Sequence, residues 1–241
     1  MESARAAGDV MSEYDLSIII PSYLEGENLC CILPRIKKTL SGLKIKFEIN
    51  VIDTLEPMDN SKNVCLENGV NYFNRGKGNC YGDAVRTGIK FARGKYIVFM
   101  DGDGSHTPEF IPELVKHRAN FDVVIASRYV EGGFTDNNKI LIFMSRAVNF
   151  FYVLILQLGC KDASNSFKLY QTEILKALDL YSNNFDIIEE ILFKLKRNDR
   201  HLRIREVPYT FKQRMFGHTK RNLVFFAFSY LFSLIKLRIS K

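Results

Sequence analysis

The chain has 241 residues, of which 46% are hydrophobic and 25% charged, with a net charge of +7. That balance fits one globular α/β domain and excludes a disordered, collagen-like or repeat-array protein. Residues 194–241 hold thirteen Lys or Arg against Asp199 and Glu206, a local +11 that leaves −4 on the rest. A basic C-terminal block implies an anionic partner: nucleic acid, a phosphorylated substrate or an anionic membrane surface. Five cysteines (Cys30, Cys31, Cys65, Cys80 and Cys160) form no C-x-x-C pair and are odd in number. They read as reduced thiols in a cytosolic setting.

Residues 1–14 lack the apolar core of a secretory signal and are expected to be a disordered leader, with 15–241 as a single domain. Leu16–Pro21 (LSIIIP) is a short apolar run closed by proline and reads as a buried parallel strand. Asn28–Leu40 has helical spacing, Phe47–Ile52 is a second strand, and Ala84–Ala92 belongs to a helix. Lys95–Met100 is a third strand ending at Asp101, and Phe121–Ala126 a fourth ending before Ser127 and Arg128. Asp186–Arg197 is predicted as an amphipathic helix and Arg203–Phe211 as a strand. Ala147–Leu158 and Leu223–Ile235 are very apolar, each well short of the roughly 20 residues that span a bilayer. Basic residues bracket the second run, so a terminal helix near 222–239 suits the membrane interface or packing on the core.

Strands alternating with helices predict a mostly parallel sheet covered on both faces, with ligands beyond the carboxyl ends of the strands. Tyr23, Glu25, Asp53, Asp101, Asp103 and Arg128 follow four such ends. The sharpest feature is KYIVFMDGDGSHTP, a hydrophobic strand delivering Asp101-Gly102-Asp103 into a turn. Two carboxylates one residue apart can hold a hard cation such as Mg²⁺ or Mn²⁺, and glycines there let backbone approach phosphate. His106 reads as a solvated turn histidine. Gly76-Lys77-Gly78 with Gly82 has neither standard phosphate-loop spacing, and no glycine fingerprint of a dehydrogenase follows the first strand.

With SIIIPSYLEGENL, MDGDGSHTPEFIPEL, SRY, SRAVNF, NSFKLY and EVPYTFKQRMFGHTK in place, the chain resembles the inverting family 2 glycosyltransferases of GT-A fold. The dolichol-phosphate (polyprenyl-phosphate) mannosyltransferases are the nearest group, over about Leu16–Lys220. The resemblance implies a Rossmann-like α/β sheet and metal-dependent transfer of a hexose, mannose favoured, from a nucleotide-sugar such as GDP-mannose to a polyprenyl phosphate. By it Pro21, Tyr23, Glu25 and Asp53 line the nucleotide pocket, Lys77 and Asp83 border it, and Asp101, Asp103 and Ser105 face the metal. Three departures stand out: Thr54 replaces a second acid, D-G-D replaces D-A-D, and Leu141 occupies a position the family often gives to a basic residue.

Arg128, Arg146, Arg214 and Lys220 are the candidates for an acceptor phosphate, because arginine forks onto phosphate oxygens and lysine serves as a point charge. A phosphate acceptor needs no strong base. A hydroxyl acceptor does, with Asp186, Glu189 and Glu190 as candidates and Glu190 favoured by resemblance to the family's F-Q-x-E segment. Two alternatives are transfer from a UDP-sugar to a hydroxyl of a glycan or lipid-linked saccharide, and a nonenzymatic nucleotide- or nucleic-acid-binding module. The intact D-x-D favours an enzyme over such a module, with no nucleic-acid partner expected. The cysteine usage and the basic-bracketed apolar run lead us to expect a cytoplasmic chain, peripheral on a membrane face.

Overall fold

The apolar runs assemble into one sheet. The computed structural model describes residues 12–136, 139–217, 234, 235, 237 and 238. In chain order the strands are β1 (Tyr14–Pro21), β2 (Phe47–Asp53), β3 (Asn71–Asn74), β4 (Gly94–Phe99), β5 (Val123–Ser127), β6 (Phe134–Thr135), β7 (Lys168–Gln171), β8 (Ile204–Pro208) and β9 (Thr210–Phe211). Seven of them form a sheet of order β3-β2-β1-β4-β7-β5-β8, and β6 pairs with β9. All neighbours in the large sheet are parallel except β7, which runs antiparallel to β4 and β5. The chain therefore has the α/β architecture expected, with the strand ends of β1, β2, β4 and β5 along one edge.

The helices are α1 (Gly26–Ser41), α2 (Ser61–Glu67), α3 (Tyr81–Phe91), α4 (Ile111–Lys116), α5 (Lys139–Leu156), α6 (Thr172–Lys176) and α7 (Ile187–Asn198). Alternation along β1 sends Leu16, Ile18 and Ile20 to one core with α1, and Ile19 to the other with α3, α5 and α7. On α1, Leu29, Ile32, Leu33, Ile36 and Leu40 recur at helical spacing and are fully buried, each worth about 1.5–3 kcal/mol of transfer free energy. The Asp59 carboxylate caps this helix from outside by accepting the Gly26 N–H at 2.8 Å.

The expected strand Arg203–Phe211 is interrupted at Tyr209, whose N–H goes to the Ser127 carbonyl while β9 leaves to pair with β6. Leu234 and Leu237, from the apolar C-terminal run, are buried in the core that contains Leu156. Lys220 and the rest of 218–241, apart from Leu234, Ile235, Leu237 and Arg238, lie outside the described residues, as does most of the leader. Among the described residues no helix is long and apolar enough to cross a membrane.

One core feature is costly. Glu189 on α7 is fully buried, and neither carboxylate oxygen has a hydrogen-bond partner. Burial pushes its carboxyl up to about 8, against an ordinary value of 4.5, despite the opposing charge of Lys168. The folded chain thus keeps the proton that the unfolded chain loses. The resulting destabilisation is absent below about pH 4.5, grows with pH and is complete above about pH 8. Glu189→Gln is expected to raise Tm, by a margin that widens from about pH 5 to about pH 8. A margin that stays constant across that range would show that Glu189 ionises normally in the fold.

Candidate active site

Asp101 follows β4 after Met100, and its surroundings are more ordered than an acidic turn requires. Its N–H donates to His106 Nδ1 at 2.9 Å, and its Oδ1 accepts from Ser166 Oγ at 2.9 Å and from Tyr81 Oη at 3.4 Å. Asp103 Oδ1 accepts from both the N–H and the hydroxyl of Ser105, at 3.0 and 2.6 Å. His106 is not the solvated residue expected. It is fully buried, stacked on Phe167, and burial lowers its pKa. Ser105 is 1% exposed and donates its hydroxyl to Asp103, which orients that carboxylate.

A strap formed by residues 212–217 crosses the D-G-D turn. The Lys212 N–H reaches the Ser105 carbonyl, the Met215 N–H reaches the Asp103 carbonyl, and the Phe216 N–H donates to Asn28 Oδ1 at 3.1 Å. Gly104 has φ +79°, and an added Cβ there would stand 2.4 Å from the Met215 side chain. Backbone conformation and the strap therefore explain this glycine without a phosphate. The strap carries Arg214, whose guanidinium donates to Glu25 Oε1 at 2.5 Å and lies 3.7 Å from Asp103 Oδ2. Burial raises the Glu25 carboxyl even so, against the pull of Arg214.

Pro21 ends β1 in a buried position, and Tyr23 beyond it is 36% exposed. Asp53 is buried, accepts from Tyr72 Oη at 2.9 Å, and is raised in pKa by burial. Asp83 pairs with Arg86 at 2.7 Å, and with Lys77 they line a cavity of about 490 Å³ that runs from the start of α3 to residues 179–183. The D-G-D turn does not line that cavity.

Arg128 differs from what the sequence leads one to expect. Its guanidinium forks onto Asp162, with Nε at 2.9 Å and one terminal nitrogen at 2.8 Å, and also reaches Ser164. Asp162 is fully buried; burial favours its neutral form, but the Arg128 charge and hydrogen bonds outweigh this and hold the carboxyl below its usual range. Arg128 is thus the partner of a buried acid, a contact of which the sequence shows no sign. Arg146, on α5, is exposed and lies over the Tyr129 ring at 5.6 Å. Tyr129 Oη meets Ser145 Oγ at 2.8 Å, and Asn149 Oδ1 accepts the N–H groups of Ala163 and Ser164, so α5 is tied to the β5 edge.

Glu190 is likewise engaged within the fold. It is fully buried, pairs with Lys194 at 2.8 Å, and accepts the N–H groups of Tyr181 and Ser182. A carboxylate so occupied anchors a loop and is poorly placed to take a proton. Asp162 and Tyr81 were missed because an acid and a hydroxyl without a strand end beside them carry no sequence signal of their own, and Ser166, although within NSFKLY, gave no sign of its contact with Asp101.

Among the described residues no cluster of three or more His, Cys, Asp or Glu side chains is gathered to hold a metal. Asp101 and Asp103 have side chains 25% and 26% exposed. Two part-exposed carboxylates suit Mg²⁺ or Mn²⁺, which are commonly held by one or two carboxylates together with nucleotide phosphates and water. The donor set therefore fits a cation completed by its nucleotide.

Residues 17–179 match the model described as glycosyl transferase family 2. A dolichol-phosphate mannosyltransferase of Pyrococcus furiosus is 32% identical over 85% of the chain, which spans 58% of that relative's length. An undecaprenyl-phosphate mannosyltransferase of Micrococcus luteus is 29% identical over 84% of the chain and 85% of its own length. Among solved structures, glucosyl-3-phosphoglycerate synthase of Mycobacterium tuberculosis with Mn²⁺, UDP and phosphoglyceric acid superposes with a TM-score of 0.73 at 17% identity. That match covers 95% of this chain and 80% of the other, and it shows the GT-A fold. The same enzyme with Mg²⁺ and UDP gives 0.68. The chain belongs to glycosyl transferase family 2 and is a glycosyltransferase.

Proposed function

We propose that this glycosyltransferase moves a hexose, with mannose from GDP-mannose favoured, to a polyprenyl phosphate at a membrane surface with inversion. The observation that carries the acceptor is on α5. Phe143, Phe150, Phe151 and Leu154 are 52–74% exposed and share one helical face, with the Arg146 cation beside them at the edge of the sheet. An apolar stripe next to an arginine suits an acceptor whose tail is hydrocarbon and whose head is a phosphate. The names of the two mannosyltransferase relatives support the same reading.

Asp101 and Asp103 would hold Mg²⁺ or Mn²⁺, which when bound neutralises the departing nucleoside diphosphate. Ser105 orients Asp103, and Pro21, Tyr23, Glu25 and Asp53 shape the donor side, with Lys77 and Asp83 at its border. Arg214 adds a cation beside Glu25 and Asp103. Arg146, with Lys220 from the basic segment, would receive the acceptor phosphate. A phosphate monoester is largely ionised near neutral pH, so no side chain must take its proton. The burial of Asp186, Glu189 and Glu190 is consistent with that and disfavours a hydroxyl acceptor.

Two variants test the acceptor reading. Arg146→Ala is expected to raise KM for dolichyl phosphate about tenfold, the scale of a charge-assisted hydrogen bond of about 1.5 kcal/mol. Phe150→Asp with Phe151→Asp is expected to abolish flotation with phosphatidylglycerol-containing vesicles while leaving Tm within a few degrees. Unchanged KM together with unchanged flotation would rule α5 out as the acceptor side.

A further inference from the structure

The NSFKLY segment resembles a feature of transferases that act on polyprenyl phosphate, yet its contacts run to the other end of the site. Ser166, 8% exposed, donates its hydroxyl to Asp101 Oδ1 at 2.9 Å. Asn165, 3% exposed, donates its amide to the Ala126 carbonyl at 2.6 Å. That fixes its Oδ1 as the acceptor facing His106 Nε2 at 3.1 Å. His106 Nδ1 accepts the Asp101 N–H, so this nitrogen carries no proton and Nε2 must carry one. A chain of hydrogen bonds thus runs from Asp101 through the neutral His106 ring and Asn165 to the end of β5.

We infer that Ser166 and His106 are positioning residues for Asp101, so that this segment sets cation affinity and not acceptor binding. The inference rests on the proposal that Asp101 and Asp103 hold a divalent cation. With Oδ1 engaged by a hydroxyl and the backbone locked by the imidazole, the carboxylate presents its other oxygen in one orientation. Groups that orient a metal-bound carboxylate typically account for 10- to 100-fold in metal affinity.

The test is Mn²⁺ binding, followed by the free-ion electron paramagnetic resonance signal, with the full chain and either GDP or UDP present. Ser166→Ala is expected to weaken Mn²⁺ binding by about tenfold or more with Tm unchanged, and Ser166→Thr to restore it to within about threefold. His106→Gln keeps an acceptor and a donor and is expected to bind Mn²⁺ more tightly than His106→Phe, which keeps the bulk alone. A Ser166→Ala chain that binds Mn²⁺ as wild type does overturns the inference and leaves the metal reading standing. A wild-type chain that binds no Mn²⁺ with either nucleotide overturns both.

Discussion

Arg128→Ala should lower the unfolding free energy by about 3–5 kcal/mol, a larger loss than any single phosphate contact would explain. Asp162 has no exposure, and it accepts three hydrogen bonds from Arg128, two from the guanidinium and one from the backbone N–H. Truncating the arginine leaves a buried carboxylate to be protonated or hydrated, and that penalty falls on the fold. For a chain of this length about 4 kcal/mol corresponds to a fall in Tm of roughly 8–16 °C. Replacing both partners should cost less than replacing one, since no orphaned charge remains. Arg128→Met combined with Asp162→Leu is therefore expected to melt above Arg128→Met alone. If Arg128→Ala keeps the wild-type Tm but loses acceptor binding, the arginine is a phosphate ligand after all.

Asp103→Asn is expected to leave the fold intact and lower kcat at least 100- to 1,000-fold, about 3–4 kcal/mol of transition-state stabilisation. The amide oxygen can still accept from the Ser105 N–H and hydroxyl, and the Met215 bond uses the Asp103 main chain. What disappears is the charge beside Arg214 and at the proposed cation site. Full turnover in this variant would remove Asp103 from the chemistry.

How much of this was legible in the sequence depended on whether a signal was local. β1, β2, β4 and β5 were found because each is a contiguous apolar run ending in a polar group, with boundaries within two residues. β3 was not, since NYFN is four residues long and half polar at the sheet edge. β7 was hidden by Lys168, whose ammonium is buried and donates to the carbonyls of Ala163 and Asn165. A buried lysine in a strand looks polar to any periodicity argument. The D-G-D pair was correctly put at a strand end, but the burial of His106 depends on Phe167, sixty-one positions later. The role of Arg128 likewise depends on Asp162, an acid with no motif around it. Partnerships of this kind are set by tertiary packing, and residue type alone does not reveal them.

The central claim is metal-dependent transfer of a hexose from a nucleotide-sugar to a lipid-borne phosphate. Its most direct measurement is an assay of the wild-type chain with radiolabelled GDP-mannose, dolichyl phosphate vesicles and Mn²⁺, run with and without excess chelator. The expected result is label in a lipid-extractable β-mannosyl phosphate, formed only when the cation is free to bind. Full transfer in chelator would contradict the metal site. Transfer from a UDP-sugar to a saccharide hydroxyl, with no lipid phosphate product, would contradict the acceptor.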